Sequence, residues 1–437
     1  MRNKLLLTLA ASALAVGAIS TEGAFAAKSK SSEPLPFSSK EKANGAKYHP
    51  EILKEFGGAY QSPQTAYVER VGKKIALQSG LANSEGEFTV TFLNSAVNNA
   101  FAIEGGYVYI TRQLAALCNS EAEMAGVLGH EVGHTAARHS KKRQKQATLA
   151  NIIGVLGTIG GAMIGDNGGL AGALGGAAQQ YSGQLAQLFT LKYSRGQEEQ
   201  ADDLGIKYLS KAGYDPSALS AMLNSLALQT AVDAKVAGLN AHSVPEWAST
   251  HPDPAKRVVR AATNAKKYPA STVRNADAHF KAIDGMMYDD DPKEGVIEGQ
   301  EFLHPDLRLR FAVPNGFGMS NGTQAVTISG NGGKALFTTQ PYNGDRKAYI
   351  DAAFKAVVGD KQQVSYGAIK NPTVNGISAF YASADVPTQQ SGTVTLMVFA
   401  YEWAPNQAFH FVTITPVNAM PFASMFESVT RMTDRQA

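Results

Sequence analysis

The sequence predicts an α+β chain, a mainly helical domain with a small sheet followed by a smaller α+β domain. Three observations carry that expectation. His130-Glu131-Val132-Gly133-His134 lies inside an apolar stripe of helical period. Phe88, Val90 and Phe92 alternate with polar residues, and Tyr107 to Ile110 is a short apolar run, so strands precede that helix. From Glu301 the pattern turns to alternating runs separated by Pro/Gly/Asn turns.

The chain of 437 residues is long enough for two or three cores. Its net charge of +3 is well mixed, which argues against nucleic acid as a partner. Arg2 and Lys4, the apolar run Leu5 to Ile19 and Ala24-Phe25-Ala26 read as a cleaved export signal over residues 1–26. A mature start near Ala27 and a periplasmic location follow as expectations. No cysteine follows the cut, so no lipid attachment is expected there. Cys118 is the single cysteine, which excludes an intramolecular disulfide and a thiolate metal site.

Residues 27–46 read as a loose leader rich in Lys, Ser and Glu, and a helix is expected from Ser62 to Ser79. Gly105-Gly106 leads into the strand at Tyr107. Ser120 with Glu123 forms a capping box for the helix carrying Met124, Val127 and Leu128, and the basic run Arg138 to Lys145 suits its C-terminus. Gln197 to Lys211 reads as a second helix stopped at Gly213, and Asp215-Pro216 opens a third. Between the first two lies residues 146–191, with Gly157, Gly161 and Gly165 and then Gly168, Gly172 and Gly176 at four-residue spacing. Two readings stand: a soluble hairpin or lid beside the site, or a hairpin that makes peripheral membrane contact. Residues 276–300, with Asp289-Asp290-Asp291, read as a linker to the domain 301–437.

In a helix, His130 and His134 share one face and reach one cation, while Glu131 reaches a water beside it. A zinc site needs a third protein ligand, and Ser194 to Asp202 offers one on a separate helix. Glu198 is the candidate, with Asp202 on the same face to hold a histidine from behind. Glu199 points away. His139, five residues past His134, is rotated off the metal face and is expected in a structural hydrogen bond. His49, His242, His279, His304 and His410 lack ligand spacing.

HEVGHTAARH followed by SRGQEEQAD resembles the gluzincin zinc metallopeptidases of the CAAX prenyl endopeptidase and HtpX-like family, nearest to its exported, periplasmic BepA-type and LoiP-type branch. Asn99 to Ala102, Gly105 to Tyr109, and Ser249-Thr250-His251-Pro252 ending at Arg257 agree, so the resemblance covers roughly Tyr48 to Val258. Glu104 departs from it, since relatives often have proline there. The resemblance implies a zincin-type domain over 27–275 and one zinc held by His130, His134 and Glu198, with Glu131 as the base that activates a zinc-bound water. It also places His251 and Arg257 near the substrate carbonyl, or His251 in the open zinc position as a latch. The substrate strand is expected at Tyr107 to Ile110. The function expected is a zinc metalloendopeptidase that hydrolyses misfolded or misassembled envelope proteins. Alternatives are a chaperone or assembly factor for outer-membrane components with conditional proteolysis, and a hydrolase of cell-wall peptides. Residues Phe302 to Phe317 weakly resemble small PsbP-like α+β domains, which implies an accessory role.

Overall fold

A computed structural model describes residues 35–141, 193–236, 251, 254–322, 325–330, 332–358, 364–388, 392–434 and 436. The export signal, the Gly-rich segment 146–191 and His242 lie outside the described residues. The described part is an α+β protein with helices gathered in its N-terminal half and β-rich structure in its C-terminal half.

Eight helices build the first half among the described residues: α1 Ser39–Glu55, α2 Thr65–Leu77, α3 Arg112–Leu117, α4 Glu121–Ala136, α5 Arg195–Lys211, α6 Ala218–Val236, α7 Pro254–Ala265 and α8 Ala276–Ile283. The expected loose leader is helical from Ser39. Ser38 caps it, exchanging hydrogen bonds with Glu41 in a complete capping box. Three strands, β1 Thr89–Leu93, β2 Ala100–Ile103 and β3 Tyr107–Thr111, form a sheet in the order β1-β3-β2. β3 runs parallel to β1 and antiparallel to β2, so both of its edges are occupied. The turn between β2 and β3 needs glycine at Gly106, where φ is +92° and a Cβ would stand 2.6 Å from the Glu87 carbonyl oxygen.

The helix α4 is the axis of this half. Ser120 Oγ accepts from Glu123 N, but the expected box is only half formed, because the Glu123 carboxylate accepts from Asn119 N instead. The helix is buried from Glu121 to His134 on every face, more than an amphipathic stripe predicts. Helices α2, α5 and α6 and the sheet enclose it. Glycine permits the closeness: a Cβ at Gly133 would stand 3.0 Å from the Ala201 carbonyl oxygen, and one at Gly205 would stand 3.1 Å from His130 N. The helix ends at Ala136, before the basic run expected to finish it, because Arg138 takes a left-handed φ of +56°.

The stretch read as a linker has structure of its own. It contains α8, whose His279 is fully buried between Tyr67 Oη and the Cys118 carbonyl. Asp291 accepts from Asn94, and Asp289 N donates to Gln113. Beyond it, a seven-stranded antiparallel sheet runs in the order Thr373–Val374, Ile377–Thr388, Gly392–Ala404, Gln407–Pro416, Gly333–Pro341, Val326–Gly330 and Phe317–Asn321. Helix Arg346–Val358 packs on one face. Phe302, Phe311 and Phe426 build the core on the other. Ile377–Thr388 is the long strand the sequence pattern did not reveal. Half of its buried positions are alanine, at Ala379, Ala382 and Ala384, which give weak apolar alternation. Among the described residues no helix is long and apolar enough to cross a membrane.

Candidate metal centre

Helices α4 and α5 bring the candidate ligands together. The α5 start is fixed by a capping box in which Ser194 Oγ accepts from Gln197 N and Gln197 Oε1 accepts from Ser194 N. Glu198 then falls in the first turn and Asp202 one turn later, both fully buried against α4. His130, His134, Glu198 and His251 each offer one ligand atom, and the four atoms lie within 4.8 Å of one another. The Nε2 atoms of His130 and His134 converge to 3.0 Å, and Glu198 Oε1 lies 3.4 Å from His134 Nε2. Glu198 Oε1 is buried with no hydrogen-bond partner among the described residues. Two imidazoles, a carboxylate and a third imidazole around one point fit a single tetrahedral cation of nitrogen and oxygen preference, as zinc is.

The expected ordering of roles on α5 has a geometric basis. Asp202 Oδ1 lies 3.0 Å from His130 Nδ1, behind the ring. Burial pushes the Asp202 carboxyl up, but Arg257 and His130 outweigh it and hold it well below the usual range. Glu199 turns to solvent, its carboxylate 3.6 Å from Arg260. Burial pushes His134 well below its ordinary value, and the imidazoles of His130, His251 and His139 and the Arg257 guanidinium disfavour a charge on it further. A neutral imidazole is the form that ligates.

Arg257 sits otherwise than the resemblance implies. Its Nε donates to Asp202 Oδ2 at 2.9 Å, its Nη2 to Asp202 Oδ1 at 2.5 Å and its Nη1 to Glu198 Oε2. The guanidinium therefore stands behind the ligand carboxylates, since a bidentate carboxylate pairing uses the fork that a substrate carbonyl would need. His251 brings a third imidazole to the same point, with Nε2 3.5 Å from Glu131 Oε1. Burial lowers its ring, but Glu131 and Glu198 outweigh that and raise it.

Two neighbours escaped the sequence pattern. Tyr193 stacks on the His134 ring at 3.7 Å between centroids and 19° between planes. It precedes the α5 cap, a placement no periodicity announces. His139, expected off the metal face in a structural hydrogen bond, makes that bond to His134, a partner set by the break at Arg138 that turns the chain back. Of the remaining histidines, His49 meets Tyr109 Oη, His410 meets Tyr349 Oη and His304 accepts from Leu307 N, all structural contacts.

A buried helix bearing two histidines and a glutamate, crossed by a second helix bearing another glutamate, defines a gluzincin-type metallopeptidase domain. Residues 62–265 match the model of Peptidase family M48. The chain is similar to the beta-barrel assembly-enhancing protease of Yersinia pestis, 31% identical over 225 residues, covering 51% of this chain and 43% of that protein. The protein of the same name from Escherichia coli (strain K12) is 26% identical over 221 residues, covering 50% and 42%. The mitochondrial metalloendopeptidase OMA1 of Schizosaccharomyces pombe is 28% identical over 216 residues, covering 48% and 56%. The chain thus spans about half the length of the curated relatives it matches.

Proposed function

We propose that this protein is a zinc metalloendopeptidase acting on misfolded or misassembled envelope proteins, with one zinc held by His130, His134 and Glu198. The observation that carries the reading is the buried set of donors within 4.8 Å, with the Glu131 carboxylate beside it. A bound zinc supplies Lewis acidity, polarising the peptide carbonyl and lowering the pKa of a coordinated water to about 7 in well-studied sites. Glu131 then accepts a proton from the attacking water and returns it to the departing amine. Asp202 keeps His130 oriented, and Arg257 keeps Asp202 charged and holds Asp202 and Glu198 in place. The strand expected to receive substrate changes, however. β3 is paired on both sides, whereas β2 stands at one end of the sheet order among the described residues and packs against α4. An extended substrate therefore adds to Ala100–Ile103 by backbone hydrogen bonds.

His251 supports a latch rather than substrate polarisation, because it offers a fourth donor to the same point and touches Glu131. Residues 1–26 act as the export signal to a periplasm, 27–275 as the metallopeptidase domain, 276–300 as the link and 301–437 as an accessory, docking domain. The relatives' name favours a second reading, an assembly factor for outer-membrane components that cleaves only stalled clients. Glu131→Gln decides between them. It keeps the ligands and should lower casein cleavage by about 10²–10⁴-fold. Loss of envelope protection with it supports proteolysis, and retained protection supports the assembly role. Unchanged casein cleavage overturns the enzyme reading.

A further inference from the structure

The two helix-borne histidines are held from behind in different ways. His130 faces a carboxylate, Asp202. His134 faces another imidazole: its Nδ1 lies 2.8 Å from His139 Nδ1, and His139 Nε2 lies 3.0 Å from Gln200 Oε1. His139 is fully buried and comes from the residues just past the break at Arg138, while Gln200 comes from α5.

Hydrogen counting allows one proton arrangement compatible with ligation. Two ring nitrogens at 2.8 Å need one N–H and one lone pair between them. For His134 Nε2 to present a lone pair to a cation, its proton must sit on Nδ1 and point at His139. His139 must then accept on Nδ1 and carry its own proton on Nε2, where Gln200 Oε1 accepts it. The reverse arrangement puts the His134 proton on Nε2 and removes a ligand.

We propose that His139, ordered by Gln200, is the positioning residue that fixes the ring orientation and tautomer of His134 for metal binding. This rests on the zinc reading above and goes beyond it, since it gives the fifth residue after His134 a task. A neutral imidazole in place of a carboxylate leaves His134 the less basic of the two ligands.

The test uses the full purified chain and zinc alone, with affinity read by chelator competition. Wild type should hold one zinc, and His134→Ala should lose it. His139→Ala should weaken affinity about 10–100-fold. His139→Asn, whose amide oxygen can still accept from His134 Nδ1, should recover most of that loss, and Gln200→Ala should show a smaller one. Nitrogen-detected imidazole spectra of the zinc-loaded protein should show His134 protonated on Nδ1 and His139 on Nε2. If His139→Ala unfolds, His139→Asn, Gln200→Ala and the spectra carry the decision. Wild-type affinity in His139→Ala, or His139 protonated on Nδ1, overturns this inference alone. A wild type that binds no zinc, or a His134→Ala that binds as well, overturns the metal reading instead.

Discussion

Asp202 and Arg257 form a buried ion pair behind His130, made by two of the guanidinium nitrogens, while a third reaches Glu198. Such a pair is costly to break from one side, because the surviving charge stays buried. Asp202→Ala should destabilise the metal-free protein toward the lower end of about 3–5 kcal/mol, since Glu198 still accepts from Arg257. Urea midpoints of wild type and variant measure it, and a change within error would mean the pair is worth nothing net. His251 gives a second prediction at this scale. His251→Ala should raise basal casein cleavage if the ring blocks the site, and a fall in turnover would assign it to substrate polarisation. The pairing of His130 with His134 and of Glu198 with Asp202 was legible in the sequence because helical spacing puts i and i+4 on one face. The place of Arg257 was not, because where a guanidinium points depends on which carboxylates the fold brings beside it.

At the scale of elements, the metal centre depends on how closely α4 and α5 cross. A Cβ at Gly205 would stand 3.1 Å from His130 N, and backbone cannot yield as a flexible side chain would. Gly205→Val should separate the helices, with about 1–3 kcal/mol of overpacking cost. The zinc affinity should fall as well, since Glu198 moves with α5. A variant with unchanged affinity would show that the crossing has slack. Helix α1 is fastened to the turn after α4 through Glu41, which meets Arg138, Lys141 and Ser38. Burial pushes this carboxyl up, but Lys141, Ser38 and Arg138 outweigh it and hold it at about 2. A depressed folded value means the contribution is complete above the ordinary 4.5 and is lost as pH falls toward 2. Glu41→Gln should therefore lower the melting temperature at neutral pH by an amount that stays level down to about 4.5 and shrinks below it. A gap independent of pH would assign the effect to packing. The helix around Glu41 was missed because its polar sequence has no apolar stripe, and tertiary contacts hold it instead.

In the whole molecule, the helical half and the β-rich half have separate cores. Ile75, Leu128 and Leu209 belong to one, and Phe311, Phe411 and Phe426 to the other. The stretch between them is held on both sides: Arg112 donates to the Met287 carbonyl and Asn94 to Asp291, while Asn321 donates to the Glu294 and Gly295 carbonyls. Calorimetry of the full chain should resolve two unfolding steps. Zinc at a hundred times its dissociation constant should raise only one of them, by about 2.7 kcal/mol of linkage. A single step raised as a whole would show that the junction couples the cores.

The sequence by itself determined the α+β class, the helix of His130 and His134, the helix of Glu198 with its cap, and which of their residues share a face. Those follow from periodicity and local hydrogen bonds, which act within a few residues. Only the tertiary structure decided that β3 lies between β1 and β2, that Arg257 pairs with Asp202 and Glu198, and that His139 returns to His134. Strand order, a guanidinium's partners and a chain reversal at one left-handed residue all depend on segments distant in sequence meeting in space, which no local spacing records.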